Sequence, residues 1–430
     1  MSKTTDLLAR KEAALASGLG VKAIFTEKAE GSELWDADGK RYIDFAAGIA
    51  VVNTGHRHPK VMKAVADQCE KFTHTCFHVA PYESYVTLCE RLNAIAPGDA
   101  PKKTMLVSAG VEAIENAIKL ARCYTNRTGI ISFYGGFHGR TMMGLSLTAR
   151  QTPYKNGFGP MLPEIYHSTF PNEFHGISTQ QALDDLERLF LSSIDPARVA
   201  AFLFEPVQGE GGFVIAPKDF LVGLKKIADK HGILLISDEV QAGMGRTGKM
   251  FSIEHSGVVP DIIAMAKGLA GGFPLSALTG RADVMDSAND FSLGGTYGGN
   301  PLAVAASNAV LDVIEEENLC AASDHIGEIM KNRLTALANR QGMEAIGDVR
   351  GVGAMVAFEL VTDRETNNPN TPLTLAIVAE AQQRGLILLN CGVRGNVIRL
   401  LPPLTTSDEL VNEAMDIIEA SVEAAIAKQG

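Results

Sequence analysis

A lysine, a carboxylate, an aromatic ring and a helix start each follow a short apolar run in the middle of this chain. In GILLISDEVQAGMGRTG the run gives way at once to Asp238 and Glu239. In DIIAMAKGLAGGFPLSA a second run ends at Lys267, followed by small residues. If both runs are buried parallel strands, these groups stand at carboxyl ends, where such sheets receive ligands. Asp238 then either caps the next element or faces a ligand as an acid. Lys267 either snorkels to water or is an amine whose pKa burial lowers until it attacks a carbonyl.

Two further segments supply complementary chemistry. Ser108-Ala109-Gly110 joins the run TMLVS to the helical pattern VEAIENAIKLAR. A helix start there offers an anion free N–H groups and the positive end of the dipole, although capping by Ser108 is the plainer role. Phe137, His138 and Arg140 follow the run GIISF. Phe137 is either core or the cover of a flat ligand, and Arg140 is either a surface cation or an anion ligand. Together the four features meet the needs of an aromatic, phosphorylated aldehyde cofactor. The aldehyde needs a lysine, the ring nitrogen an acid, the ring an apolar cover, and the phosphate a helix start.

Gly243, Gly245 and Gly248 form a G-x-G-x-x-G, the mark of a nicotinamide-dependent dehydrogenase. Its context is wrong, because DEVQA separates it from the strand, and the segment reads as a flexible glycine-rich loop.

The elements that must carry these residues alternate: apolar runs, then helical patterns, from about Pro101 onward. That texture predicts an α/β fold with a mostly parallel central sheet in a large domain, plus a smaller α+β domain. The boundaries read as an N-terminal arm over 1–49, a large domain over 50–305 and a small domain over 306–430. ELWDADG and RYIDF read as two strands joined by a turn. Thr362–Thr371 reads as an exposed connection. Val411, Ala414, Met415, Ile418, Val422 and Ala425 fall on one stripe of a final helix.

Composition narrows the function classes. The chain has 430 residues, is 46% hydrophobic and carries a net charge of −11, which excludes global disorder and disfavours nucleic acid. Six dispersed cysteines without a C-x-x-C pair predict free thiols in the cytoplasm. No run of 18 apolar residues predicts a membrane span. His56, His58, His74 and His78 cluster without a metal-ligand spacing, so no metal is expected.

The sequence resembles the class III (ω-) aminotransferases of fold type I, dependent on pyridoxal 5′-phosphate (PLP), and most closely the 4-aminobutyrate aminotransferases. The resemblance runs from about Ile24 to Ala425. It rests on LWDADGKRYIDFAAGIAVVNTGHRHPKV, HTCF, GVEAIENAIKLAR, FHGRT, EPVQGEGGF, LLISDEVQAGMGRTG, AKGLAGGFPLSA, GGTYGGNP, GDVRGVGAM and NVIRLLPPL.

The resemblance implies that Lys267 bonds the cofactor aldehyde and carries the proton. It also implies that Asp238 pairs with the ring nitrogen. Phe137 and Val240 cover the ring, Gln241 lies near its phenolic oxygen, and His138 belongs to the same set. Gly110 and Val111 present N–H groups to the phosphate, and Thr296 reaches the phosphate of a neighbouring subunit, in a homodimer or dimer of dimers. Arg140 takes the distal carboxylate of both substrates and Arg399 the α-carboxylate of 2-oxoglutarate. Glu210 pairs with Arg399 when 4-aminobutyrate is bound, Ile49 lines the same pocket, and Cys76 lines it too. The family usually has Ser or Thr where this chain has Val111, so one phosphate hydrogen bond is lost. The implied partners are an amino donor and a 2-oxo acid acceptor taken in turn. Alternative donors are 5-aminovalerate, β-alanine, N-acetylornithine and ornithine.

Overall fold

The computed structural model describes residues 2–20 and 22–428. Near the N-terminus β2 (Glu33–Asp36) runs antiparallel to both β1 (Thr26–Glu30) and β3 (Arg41–Asp44). The central sheet takes β4 (Lys102–Val107), β5 (Gly129–Phe133), β6 (Ile165–Ser168) and β7 (Val199–Phe204). A small hairpin, β8 (Val207–Gln208) with β9 (Val214–Ile215), follows. The sheet is completed by β10 (Leu234–Asp238), β11 (Ile262–Met265) and β12 (Ser276–Arg281). Its order is β4-β12-β11-β10-β7-β5-β6, and β12 runs antiparallel to both its neighbours.

Burial explains the sequence texture. Strand β7, VAAFLF, and β11, IIAM, are buried at every residue, as helices on both faces of a parallel sheet require. The helix Gly110–Thr125 buries Ala113, Ile114, Ala117, Ile118 and Ala121, a stripe of helical period.

The last third of the chain builds β13 (Ile346–Val352), β14 (Met355–Leu360), β15 (Leu386–Ile387), β16 (Leu389–Cys391) and β17 (Val397–Leu400). Four of them form an antiparallel sheet in the order β13-β14-β17-β16. The fifth, β15, leaves that sheet and pairs parallel with β3. Residues near both ends of the chain therefore share one sheet. All six stripe residues of the final helix, Asp408–Ala427, are buried.

The glycine-rich segment is not flexible. Residues 241–248 are buried throughout. Arg246 is fully buried and donates to the carbonyls of Pro402 (2.6 Å) and Ala354 (3.3 Å) and to Asn53 Oδ1 (2.6 Å). Burial among neutral acceptors pushes its guanidinium down to about 9. Gly248 stands at φ +82°, where a Cβ would meet Asp324 Oδ1 at 1.9 Å. The glycines thus serve close packing between segments, which periodicity does not reveal.

A second unusual stretch follows β3. Ala47, Gly48, Ile49 and Ala50 have φ of 46°, 63°, 68° and 60°, one left-handed turn. Such a conformation costs about 1–2 kcal/mol for each non-glycine residue. Asp44 anchors its entry by accepting from the N–H of Ala46 (2.9 Å) and Ala47 (3.0 Å).

Candidate active site

The carboxyl ends of β10 and β11 open on a cavity of about 330 Å³. Asp238 is the last residue of β10 and is buried. Its Oδ1 accepts from the N–H of Val240 (3.1 Å), and its Oδ2 lies 2.8 Å from His138 Nδ1. Buried His138 is held in turn by its own N–H, which donates to Thr148 Oγ1 (2.9 Å). This leaves the aspartate in a dry setting, fixed by two neighbours.

Lys267 follows β11 at φ 47°, a strained position for a residue with a Cβ. Burial pushes its amine down to about 8, and the Arg399 charge adds to the effect. The carboxylates of Glu210, Asp238 and Glu205 oppose it. An amine near this value is neutral often enough to attack a carbonyl.

At the far side, the helix Gly110–Thr125 begins against the cavity. Glu112 Oε2 accepts from the N–H of Ser108 (2.7 Å) and Ala109 (3.0 Å), and Ser276 Oγ donates to the Ala109 carbonyl (2.7 Å). The N–H groups of Gly110 and Val111 lie in the first turn, which has no intrahelical acceptor for them. A Cβ on Gly110 would meet Val240 Cγ1 at 3.0 Å, so glycine lets the helix start close on the β10 loop. The Val111 side chain packs on the loop after β5: a Cβ on Gly139 would lie 2.2 Å from its Cγ2. Phe137, Val240 and Gln241 complete this end of the wall. Gln241 Oε1 is buried without a protein partner.

The other end is built from charged residues on separate segments. Arg399, in β17, is buried and donates through Nη1 to Glu210 Oε1 (2.6 Å). Its Nε has no protein partner. Burial pushes the Glu210 carboxyl up, but Arg399 outweighs it and holds the group below the usual range. Glu210 Oε2 accepts from the Tyr154 hydroxyl (3.1 Å). The Tyr154 ring lies 5.0 Å from that of Phe137, and the exposed Arg140 guanidinium sits 5.4 Å above it.

Sequence reasoning missed Tyr154 and Glu205. Glu205 lines the cavity, and its carboxylate accepts from the N–H of Phe137 (3.0 Å) and Gly209 (3.1 Å). Burial raises it, with Asp238 adding and His138 opposing. Its place just after β7 was a signal of the kind that marked Asp238. Tyr154 lies in an irregular connection, where no periodic signal exists.

The wall thus unites Lys267, Asp238, His138, Gly110, Val111, Phe137, Val240, Gln241 and Glu210. Arg399, Tyr154 and Arg140 are not on the wall: Arg399 and Tyr154 bond Glu210, which is, and Arg140 lies over the Tyr154 ring. Ile49 is not on the wall: the left-handed turn puts Val51 there and leaves Ile49 39% exposed. Cys76 is also off the wall, at φ 56° in the 73–82 connection. Thr296 lies away from the cavity in the exposed stretch 294–297. His56 pairs with Asp44 (2.8 Å) and His58 with Glu317 (2.9 Å), and no metal-binding cluster occurs among the described residues.

Comparison with solved structures places this architecture among the transaminases. A transaminase from the marine bacterium Virgibacillus superposes with a TM-score of 0.92, at 28% identity, over 99% of this chain and 100% of that one. An amine transaminase from an uncultivated Pseudomonas species, solved in its PLP-bound form, gives 0.86 at 31% identity over 97% of each. The aminotransferase class-III family model matches residues 15–422, and the chain belongs to that family. It is 49% identical to the 5-aminovalerate aminotransferase DavT of Pseudomonas putida, over 97% of this chain and 98% of that protein. It is 48% identical to the 4-aminobutyrate aminotransferase GabT of Escherichia coli, with the same coverage.

The protein is therefore an aminotransferase, its cofactor is pyridoxal 5′-phosphate, and the dehydrogenase alternative falls. The residues present fit that cofactor. The acid Asp238 closes β10, the amine of Lys267 stands just beyond β11, a helix begins at Gly110 on the same wall, and the Gln241 side-chain oxygen is buried there without a protein partner.

Proposed function

We propose that the protein moves the amino group of 4-aminobutyrate, or its one-carbon-longer homologue 5-aminovalerate, to 2-oxoglutarate. With 4-aminobutyrate the products are succinate semialdehyde and glutamate, formed in two half-reactions by a ping-pong mechanism. The observation that carries this reading is the 2.6 Å pair between Arg399 and Glu210. An ω-amino acid has one carboxylate and 2-oxoglutarate has two, so one anchor must be masked for the first and bared for the second. Glu210 masks Arg399; Arg140 stays free for the carboxylate that both substrates carry.

When bound, pyridoxal phosphate supplies the electron sink and stores the amino group between half-reactions. Lys267 Nζ would be the group that carries the proton away from the substrate carbon that bears nitrogen. Asp238, held by His138, keeps the ring nitrogen protonated. Phe137 and Val240 would cover the ring, and Gln241 would lie near its phenolic oxygen. Gly110 and Val111 N–H groups would hold the phosphate, joined by a Thr296 hydroxyl from a second subunit in a homodimer or dimer of dimers. Free thiols at all six cysteines favour a reducing cytoplasm.

Two named relatives with these two donors, at nearly equal identity, support the choice of donor class. A donor panel with 2-oxoglutarate tests it. The highest kcat/KM is expected with 4-aminobutyrate or 5-aminovalerate. A clear preference for ornithine, N-acetylornithine or β-alanine would overturn the reading.

A further inference from the structure

Glu210 has two oxygens and two partners. Oε1 faces Arg399 at 2.6 Å and Oε2 accepts the Tyr154 hydroxyl at 3.1 Å. When a second substrate carboxylate takes Arg399, Oε1 loses its cation. A desolvated carboxylate without a donor is costly. The Tyr154 hydroxyl is then the donor that remains. The same residue reaches the other anchor: Arg140 lies over its ring at 5.4 Å, and that ring also packs against Phe137 at 5.0 Å. Burial and the neighbouring Glu210 both push the phenol's pKa up, so the hydroxyl keeps its proton and stays a donor.

We propose that Tyr154 is the pivot of the two-substrate switch. It is a positioning residue whose hydroxyl steadies Glu210 once Arg399 is bared, and whose ring backs Arg140 for both substrates. The inference rests on the two-arginine reading above. It assigns two separable jobs to one side chain. The hydroxyl matters for ligands with two carboxylates, because only these displace Glu210. The ring matters for every ligand that uses Arg140.

Unreactive mimics separate the jobs without turnover. Glutarate has both carboxylates and butyrate has one. Calorimetric titration of the PLP-loaded enzyme would compare the parent, Tyr154→Phe and Tyr154→Leu. Tyr154→Phe is expected to weaken glutarate about fivefold and leave butyrate within twofold. Tyr154→Leu is expected to weaken both. In a Glu210→Ala background, Tyr154→Phe should no longer affect glutarate, since the carboxylate it steadies is gone. Equal weakening of the two ligands by Tyr154→Phe, or no change in either, would overturn the pivot. So would a full glutarate effect that persists in the Glu210→Ala background. A parent enzyme that binds glutarate no more tightly than butyrate would instead sink the two-arginine reading, and the pivot with it.

Discussion

The two ends of the cavity are made differently. At the cofactor end, Asp238 ends β10, Lys267 stands two residues beyond β11, and Gly110 opens a helix three residues beyond β4. All three ride on one seven-stranded sheet with a dry interior. At the substrate end, Arg140 and Tyr154 sit on connections, Glu210 on a short turn, and Arg399 on a strand of a different sheet. The Glu210–Arg399 bond spans 189 residues of sequence. The difference teaches where fixed and movable parts belong: the cofactor stays through both half-reactions, whereas the substrates alternate. Groups on one rigid sheet hold a constant geometry; groups on separate segments can be rearranged at the cost of one ion pair.

The comparison predicts that changes at the cofactor end damage both half-reactions alike. Lys267→Ala should lower each by roughly four orders of magnitude, through loss of the proton carrier. Single-turnover absorbance with 4-aminobutyrate, then with 2-oxoglutarate, reads both; a variant slowed in one only would break the distinction.

Changes at the substrate end should split the half-reactions. Glu210→Ala leaves Arg399 uncompensated while the amino donor is bound, a cost of about 1.4 kcal/mol or tenfold in that half-reaction. The 2-oxoglutarate half-reaction should be spared, and Arg399→Ala should show the reverse pattern. Equal slowing of both by Glu210→Ala would make Glu210 purely structural.

Val111→Ser sharpens the contrast within the cofactor end. A hydroxyl near the phosphate should tighten PLP by up to about tenfold, with turnover at saturating cofactor unchanged. Equilibrium dialysis against PLP measures it, and equal dissociation constants would mean the phosphate is already satisfied.

A further effect concerns stability without cofactor. Lys267 is held at about 8 against 10.5 in the unfolded chain. Below pH 8 both states carry the proton and the burial penalty is in full force. Between 8 and 10.5 the unfolded chain keeps a proton that the folded one has lost, so stability rises with pH. Lys267→Met removes that rise, and thermal melts of the two cofactor-free proteins should draw together as pH increases. Parallel curves would place the pH dependence on another group.

What was legible in the sequence follows the same division. Residues at the ends of buried strands announce themselves, because a charged group directly after LLIS or IIAMA breaks an otherwise apolar run. Strand β12 hides: SALTGR mixes Ser276 and Thr279, both buried, with Arg281. The glycine-rich loop misled because a sequence displays glycine's freedom and conceals the partner, here Asp324 and the clasp around Arg246, that uses it. Glu205 follows the buried run VAAFLF and was legible by the same rule as Asp238, whereas Tyr154 acts through contacts made across the fold and no local spacing encodes it. Ile49 belongs to a motif, yet its left-handed φ, invisible in a string of letters, turns Val51 to the cavity instead.

The β3–β15 pairing has a consequence for the order of events during synthesis. Lys40 donates to the carbonyl of Gln383, 343 residues downstream, beside that pairing. At about 5–20 residues per second, the ribosome delivers the fourth strand of this sheet tens of seconds after the first three. During that interval β3 is an open edge, and Ile43, buried in the finished fold, lacks its cover. The seven-stranded sheet has all its strands long before then. The nascent chain thus carries all the strands of the cofactor-end sheet beside an unfinished substrate end, and the β3 edge stays unpaired until β15 emerges.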